Sequence, residues 1–268
     1  MSENKDYLER EKEIHDTWAL ENDYKLFNPD SFEKGLSLPE FNWLFKDIDF
    51  QNKRVLDIGC GLGESSIFFA KKGAHVSAID ISEGVIEKGR EKAREEGVKI
   101  EFYVTNGEDL SLFEDNTFDY IYAANLLHHL AIDEIIKEVN LKLVKGGSFF
   151  SWDPIAYNPV INIYRRLATA VRTIDEHPLT KKDISNICNS FSKSEVKFFW
   201  LTGLLIFLKF FLIDFKNPSK IRYWKKIVEE EEKYSSFLKI SHNIDQVLFK
   251  FLPVLKYLTW NVAIRVTK

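Results

Sequence analysis

The chain has 268 residues, 45% of them apolar, enough for one large domain or one domain carrying an insertion. Its formal net charge of −4 excludes a protein that grips nucleic acid through a global basic surplus. Two cysteines, Cys60 and Cys188, are too few for a disulfide framework, and "MSENKDYLEREKE" has no apolar stretch of signal-peptide type; both features point to a cytoplasmic protein with reduced thiols.

Residues 1–50 read as a polar, helix-prone cap, punctuated by Pro29, Gly35 and Pro39. From residue 53 apolar runs of strand length recur at 54–58, 75–80, 99–104, 118–123 and 147–152, with helical patterns at 63–72, 83–96 and 131–143 between them. That alternation predicts an α/β fold with a mostly parallel sheet covered by helices on both faces. Gly73, Gly97 and the pair Gly146–Gly147 stand where left-handed helix C-caps are expected, and Ser82 where an N-cap is. After residue 153 the pattern loosens into a loop, a helix and a second helix starting near Thr180. "SEVKFFWLTG" and "YLTWNVAIRVTK" read as two further strands. The chain thus divides into a cap (1–50), a core (51–202), a hydrophobic helical insertion or lid (203–256) and a last core strand (257–268).

The glycine turn "VLDIGCGLG" places glycines at 59, 61 and 63. A dinucleotide turn of the G-x-G-x-x-G type would want its third glycine at position 64, which is Glu. A carboxylate in the first helical turn repels a pyrophosphate, and Asp57 adds negative charge to the same rim. The turn therefore suits a ligand with positive charge and no phosphate. In "HVSAIDIS", Asp80 ends the next strand, where a carboxylate accepts hydrogen bonds from ribose hydroxyls. Ribose without phosphate implies an adenosyl group. Asn106 and the backbone of 107–108 in "VTNGEDL" are placed for an adenine edge. Ala123 and Ala124 before Asn125 let a ligand lie close to the end of the fourth strand.

With "LVKGGSFFSWDP", these motifs make residues 53–153 resemble the class I S-adenosylmethionine-dependent methyltransferases, nearest the small-molecule and lipid-modifying branch. The resemblance implies a Rossmann-like seven-stranded sheet in the order 3-2-1-4-5-7-6, its last strand antiparallel. It implies S-adenosyl-L-methionine as cofactor. Asp57, Gly59 and Gly61 would surround the methionine moiety, with Asn125 facing it. Asp80, with Ile81 beside it, would take the ribose, and Asn106, Gly107 and Glu108 the adenine. Relatives often carry Asp where this chain has Asn106, whose amide oxygen still accepts a hydrogen bond.

The sulfonium methyl is already activated, so positioning and water exclusion carry much of the catalysis, and a base is needed only where the nucleophile must lose a proton. Candidates are His128, His129, His177, Tyr157 and Asp153, and Arg172 could neutralise an acidic acceptor. The plainer roles are packing and helix capping for "LHHL", and loop fixing for His177. No metal site is read. The 22 Phe, concentrated toward the C-terminal third, fit an enlarged core, an apolar lid over a small, hydrophobic or lipid-like acceptor, or a peripheral membrane-docking surface. Lys216, Lys220, Arg222, Lys225 and Lys226 would meet anionic headgroups in the last case. Lys209, Lys250, Pro253 and Lys256 interrupt the apolar runs and argue against membrane spans. Two rivals remain: an NAD-dependent oxidoreductase, opposed by Glu64, and a protein of this fold that binds a ligand or partner without catalysis.

Overall fold

The computed structural model describes residues 9–10, 12–13, 16, 35–167 and 176–268. Arg172 and most of the N-terminal cap lie outside the described residues. Among those described, seven strands form one sheet: β1 (Arg54–Ile58), β2 (His75–Asp80), β3 (Ile100–Val104), β4 (Phe118–Ala124), β5 (Leu143–Pro154), β6 (Lys193–Phe199) and β7 (Asn261–Thr267). Their order is β3-β2-β1-β4-β5-β7-β6, as the resemblance implies. Only β7 runs antiparallel to its neighbours. The order reverses between β1 and β4, and in such sheets ligands bind outside the carboxyl ends of the strands at that point.

The strands form where apolar residues run together, and β1 is buried at four of its five positions, as a central parallel strand must be. On one face, α1 (Pro39–Phe45) and α2 (Glu64–Lys71) deliver an aromatic core. Phe45 lies 5.0 Å from Phe150 and 5.3 Å from Tyr122, ring centre to ring centre, and Phe69 lies 5.5 Å from Tyr122. This cluster is built by the first half of the chain as much as by the aromatic C-terminal third. On the other face, α4 (Ile132–Lys142) and α6 (Lys181–Asn189) bury Ile135, Val139, Ile184 and Ile187 against Leu56, Ile121, Phe149 and Ile264. Helix α3 (Glu83–Glu95) packs on the β2–β3 edge, where Ile86 and Ala93 meet Phe102.

Ser82 caps α3 as expected, its hydroxyl accepting from the Val85 amide at 3.1 Å. Thr180 and Asp183 form a full capping box at the start of α6. Gly73 and Gly97 take the expected positive φ after their helices. The third expected cap is different. Helix α4 stops at Lys142, and the backbone turns extended at Leu143 and enters β5 directly. Gly146 and Gly147 lie inside that strand, where the register with β4 slips between the pairs Phe118↔Leu143 and Tyr120↔Ser148. A side chain at Gly147 would come within 2.9 Å of the Asp119 and Val144 carbonyl oxygens, so the doubled glycine serves a bulge and not a cap.

Helix α5 (Pro159–Leu167) follows β5, and between β6 and β7 lie α7 (Leu205–Leu212), α8 (Tyr223–Glu229) and α9 (Glu231–Phe251). One side of this helical group extends the aromatic core. Phe207 meets Tyr164 edge-on at 5.3 Å, and Phe210 meets Tyr223 at 5.3 Å and Tyr234 at 5.8 Å in the same way. Asp245 tethers α9 to the end of β6, accepting from the amides of Leu201 and Thr202 and from the Thr202 hydroxyl at 2.6–3.0 Å. No helix among the described residues is long and apolar enough to cross a membrane.

Candidate active site

The β1–α2 junction lies at the sheet's carboxyl rim, beside the point where the strand order reverses. Gly59, Gly61 and Gly63 all have positive φ, at 66°, 54° and 82°. The Cys60 amide reaches across to the Ile79 carbonyl at 2.9 Å, which holds the turn against β2. Space above Gly61 is open: a Cβ built there meets nothing within 4 Å. That opening is what a ligand approaching bare backbone requires.

Asp80 closes the turn from the neighbouring strand. Its Oδ2 accepts from the Gly61 amide at 3.1 Å and its Oδ1 from the Ser82 amide at 3.0 Å. One carboxylate thus shapes the glycine turn and stands beside Ile81 at the end of β2, where a ribose would be read. Asp57 sits behind the turn, buried, with Oδ2 taking both the Ser65 and Ser66 hydroxyls at 2.6 Å. Burial pushes its carboxyl up to about 6, against the pull of the two serines. Cys60 is buried among these acids, and burial keeps its thiol protonated, its pKa well above the ordinary value.

The other expected contacts line the same rim. Asn106 folds its side chain back, Oδ1 accepting from the Glu108 amide at 3.1 Å, which holds Gly107 between them. Glu108 in turn accepts from the Ala131 amide at 2.7 Å and so fixes the entry to α4. Asn125 is exposed at the end of β4 with φ 49°, and its amide donates to the Trp152 carbonyl at 2.8 Å.

The catalytic candidates do not share one environment. His128 is buried, and its Nδ1 lies 2.7 Å from Oδ1 of the fully buried Asp153. Burial pushes the Asp153 carboxyl well above the usual range, opposed by the amides of His128, Leu126 and Leu127. The His177 amide donates to the His128 carbonyl at 2.8 Å, so the structure brings together two histidines distant in sequence; the His177 side chain is exposed. His128, His129 and Glu176 offer donor atoms all within 4.8 Å of one another, near enough for one cation to reach all three. Tyr157 stands apart, its hydroxyl accepting from the Lys181 amide at 2.9 Å at the start of α6.

Residues 55–147 match the family model described as a methyltransferase domain. These residues thus carry a methyltransferase domain. It lies in a Rossmann-like sheet of the order that the class I, S-adenosylmethionine-dependent resemblance implies. Similar curated proteins are the ubiquinone biosynthesis O-methyltransferases of Xylella fastidiosa (strain 9a5c), 33% identical over 110 residues, 41% of this chain and 45% of that protein, and of Stutzerimonas stutzeri (strain A1501), 27% identical over 145 residues, 54% and 60%. The chain spans about half the length of the curated relatives it matches. Among solved structures it is similar to the PH0226 protein from Pyrococcus horikoshii OT3, at TM-score 0.52 and 23% identity over 68% of this chain and 88% of that one. It is also similar to magnesium protoporphyrin IX methyltransferase from Synechocystis PCC 6803, at TM-score 0.51 and 14% identity over 93% and 91%. Both likenesses extend the shared fold beyond the residues that the family model matches.

Three features of this methyltransferase domain escape sequence reasoning. Ser65 and Ser66, in the first turn of α2 and eight and nine residues after Asp57, carry no motif that announces their hydrogen bonds to it. The pairing of His128 with Asp153 joins the ends of two strands and has no local signature. Glu40 of α1 is buried, accepts from the Asn261 side chain at 2.8 Å, and is pushed up to about 7 by that burial. Asp57 and Glu40 therefore hold protons more tightly folded than unfolded. Their stabilisation is complete below the ordinary carboxylate range and is lost as pH rises through about 6 and about 7. Between about pH 8 and pH 5 the cofactor-free protein is expected to gain about 4 kcal/mol from the pair. Urea unfolding across that range checks it, and Glu40→Gln should flatten the gain by more than half.

Proposed function

We propose that this protein transfers a methyl group from S-adenosylmethionine to a small apolar or lipid-like acceptor. The observation that carries the reading is the open glycine turn held by Asp80 inside a methyltransferase domain. The residues present fit the cofactor. Asp57, Asp80 and Glu64 put negative charge at the turn, which suits a sulfonium and an ammonium and opposes a pyrophosphate. In this reading Asp57, Gly59, Gly61 and Asn125 line the methionine end, Asp80 and Ile81 the ribose, and Asn106, Gly107 and Glu108 the adenine. The cofactor supplies an activated methyl; the chain's part is to orient the acceptor, exclude water and take a proton.

In this reading His128 takes the proton. Asp153 on Nδ1 fixes the ring and directs its basic lone pair to Nε2. Uptake of a proton there converts a buried carboxylate and neutral ring into a compensated ion pair, which burial favours. Relatives named for O-methylation support a hydroxyl as the acceptor group. The aromatic side chains that α5, α7 and α8 add to the domain support an apolar acceptor.

The test is calorimetry with S-adenosylhomocysteine, followed by transfer of labelled methyl to a lipid extract of the native cell. Micromolar binding and a labelled, chloroform-soluble product are expected. Absence of binding would refute the cofactor reading. Binding without transfer to any acceptor pool would favour a ligand-binding protein that has kept the fold and not the chemistry.

A further inference from the structure

Helix α9 is apolar on two different sides. Tyr234, Leu238 and Phe249 enter the core, and Asp245 on the same side ties the helix to Leu201 and Thr202. Elsewhere on its circumference Ile240, Ile244, Val247 and Phe251 recur at spacings of four, three and four residues, which keeps them on one narrow stripe. They are 59%, 44%, 57% and 73% exposed. The stripe continues into Leu252 and Val254 in the turn that follows, 53% and 66% exposed. A run of large apolar side chains in water over three helical turns marks an interaction surface.

The charges bordering the stripe identify the partner. From residue 233 to residue 260 the charged side chains are Lys233, Lys239, Lys250, Lys256 and Asp245. The one acid of that stretch is buried and engaged. Beyond Glu231 and Glu232, which open the helix two turns before Ile240, the charges of this segment that reach water are therefore lysines, although the whole chain is net negative. Lys239 and Lys250, both exposed, stand three turns apart on the same flank of the stripe. The lysines that the sequence suggested for docking are less available. Lys216 pairs with Asp214 at 3.7 Å and Lys226 with Glu230 at 2.5 Å. An apolar stripe with a lysine flank is the pattern of a helix lying in the headgroup layer of a bilayer.

We propose that α9 docks this protein on an anionic lipid bilayer, with Ile240, Ile244, Val247 and Phe251 entering the acyl boundary and Lys239 and Lys250 facing the headgroups. A second copy of the chain would be drawn to the stripe and repelled by the lysines of its twin. This surface stands independently of the methyl-transfer reading, since vesicle binding needs neither cofactor nor acceptor.

Flotation of the purified protein with phosphatidylcholine vesicles, with and without phosphatidylglycerol, tests it. Flotation with the anionic vesicles alone is expected, weakening as salt is raised. Ile244→Glu with Val247→Glu should cut the bound fraction about tenfold, and Lys239→Glu with Lys250→Glu about fivefold. Unchanged melting and S-adenosylhomocysteine affinity in these variants would exclude unfolding as the cause. Val254→Trp gives a second readout, a blue shift of emission on anionic vesicles. Wild-type protein that stays unbound, or binds neutral vesicles equally, would overturn the proposal. So would a dimer without flotation that Ile244→Glu with Val247→Glu dissolves, because it assigns the stripe to a second copy.

Discussion

Replacing Asp80 by alanine is expected to weaken S-adenosylhomocysteine binding by about 100-fold or more. Hydrogen bonds to a charged acceptor are worth about 1.5–3 kcal/mol each, and a ribose would offer two. The same substitution frees the Gly61 and Ser82 amides, which Asp80 holds at 3.1 and 3.0 Å, so the turn loses its anchor along with the ligand. Asp80→Asn keeps one carbonyl acceptor and should fall between alanine and wild type. Exposed Glu83, two residues beyond Ile81, is the control, and Glu83→Ala should leave affinity unchanged. Calorimetry reads all three variants. An unaltered Kd in Asp80→Ala would mean that the ligand does not touch the end of β2.

The second large effect is on turnover. Asp153→Asn removes the carboxylate that accepts the Nδ1–H hydrogen bond, and His128→Ala removes the ring itself. Each is expected to lower kcat by about 100-fold or more while S-adenosylhomocysteine affinity changes little. The double variant should be no worse than either single one, because the two groups act as a unit. Wild-type rate should fall as pH drops, since the pair must give up a proton before it can take one from the acceptor. Burial raises the Asp153 carboxyl, so this loss begins at higher pH than for an exposed carboxylate. His177→Ala measures how far the exposed ring bonded through its backbone to His128 contributes. A rate abolished by chelator and restored by zinc would transfer the role of His128 from base to cation ligand, together with His129 and Glu176.

The two predictions rest on different kinds of information. Asp80 was legible because its position follows from period and punctuation: a strand-length apolar run, a terminal acid, then Ser82 and a helix. Such signals are local, since the backbone conformations they report are set by neighbours within a few residues. The glycine turn belongs to the same class, and Glu64 in it distinguishes a cationic ligand from a phosphate-bearing one. Gly146 and Gly147 show the limit of local signals. A doubled glycine after a helix reads equally well as a cap or a bulge, and the choice is made by the Asp119 carbonyl of the neighbouring strand β4.

His128 and Asp153 lie beyond that limit. They are 25 residues apart, and only the side-by-side pairing of β4 and β5 brings their atoms to 2.7 Å. The raised carboxyl of Glu40 likewise depends on its burial against Asn261, 221 positions along the chain. The surface of α9 follows the same rule. Hydropathy marks both apolar sides of that helix alike, and only packing against α7 and the end of β6 separates the side that joins the core from the side left facing water. Alternation of strands and helices, the turn and its acid are written in short-range order and could be read directly. Proton affinities and exposed faces are properties of desolvation, which exists only once distant segments have closed around a group.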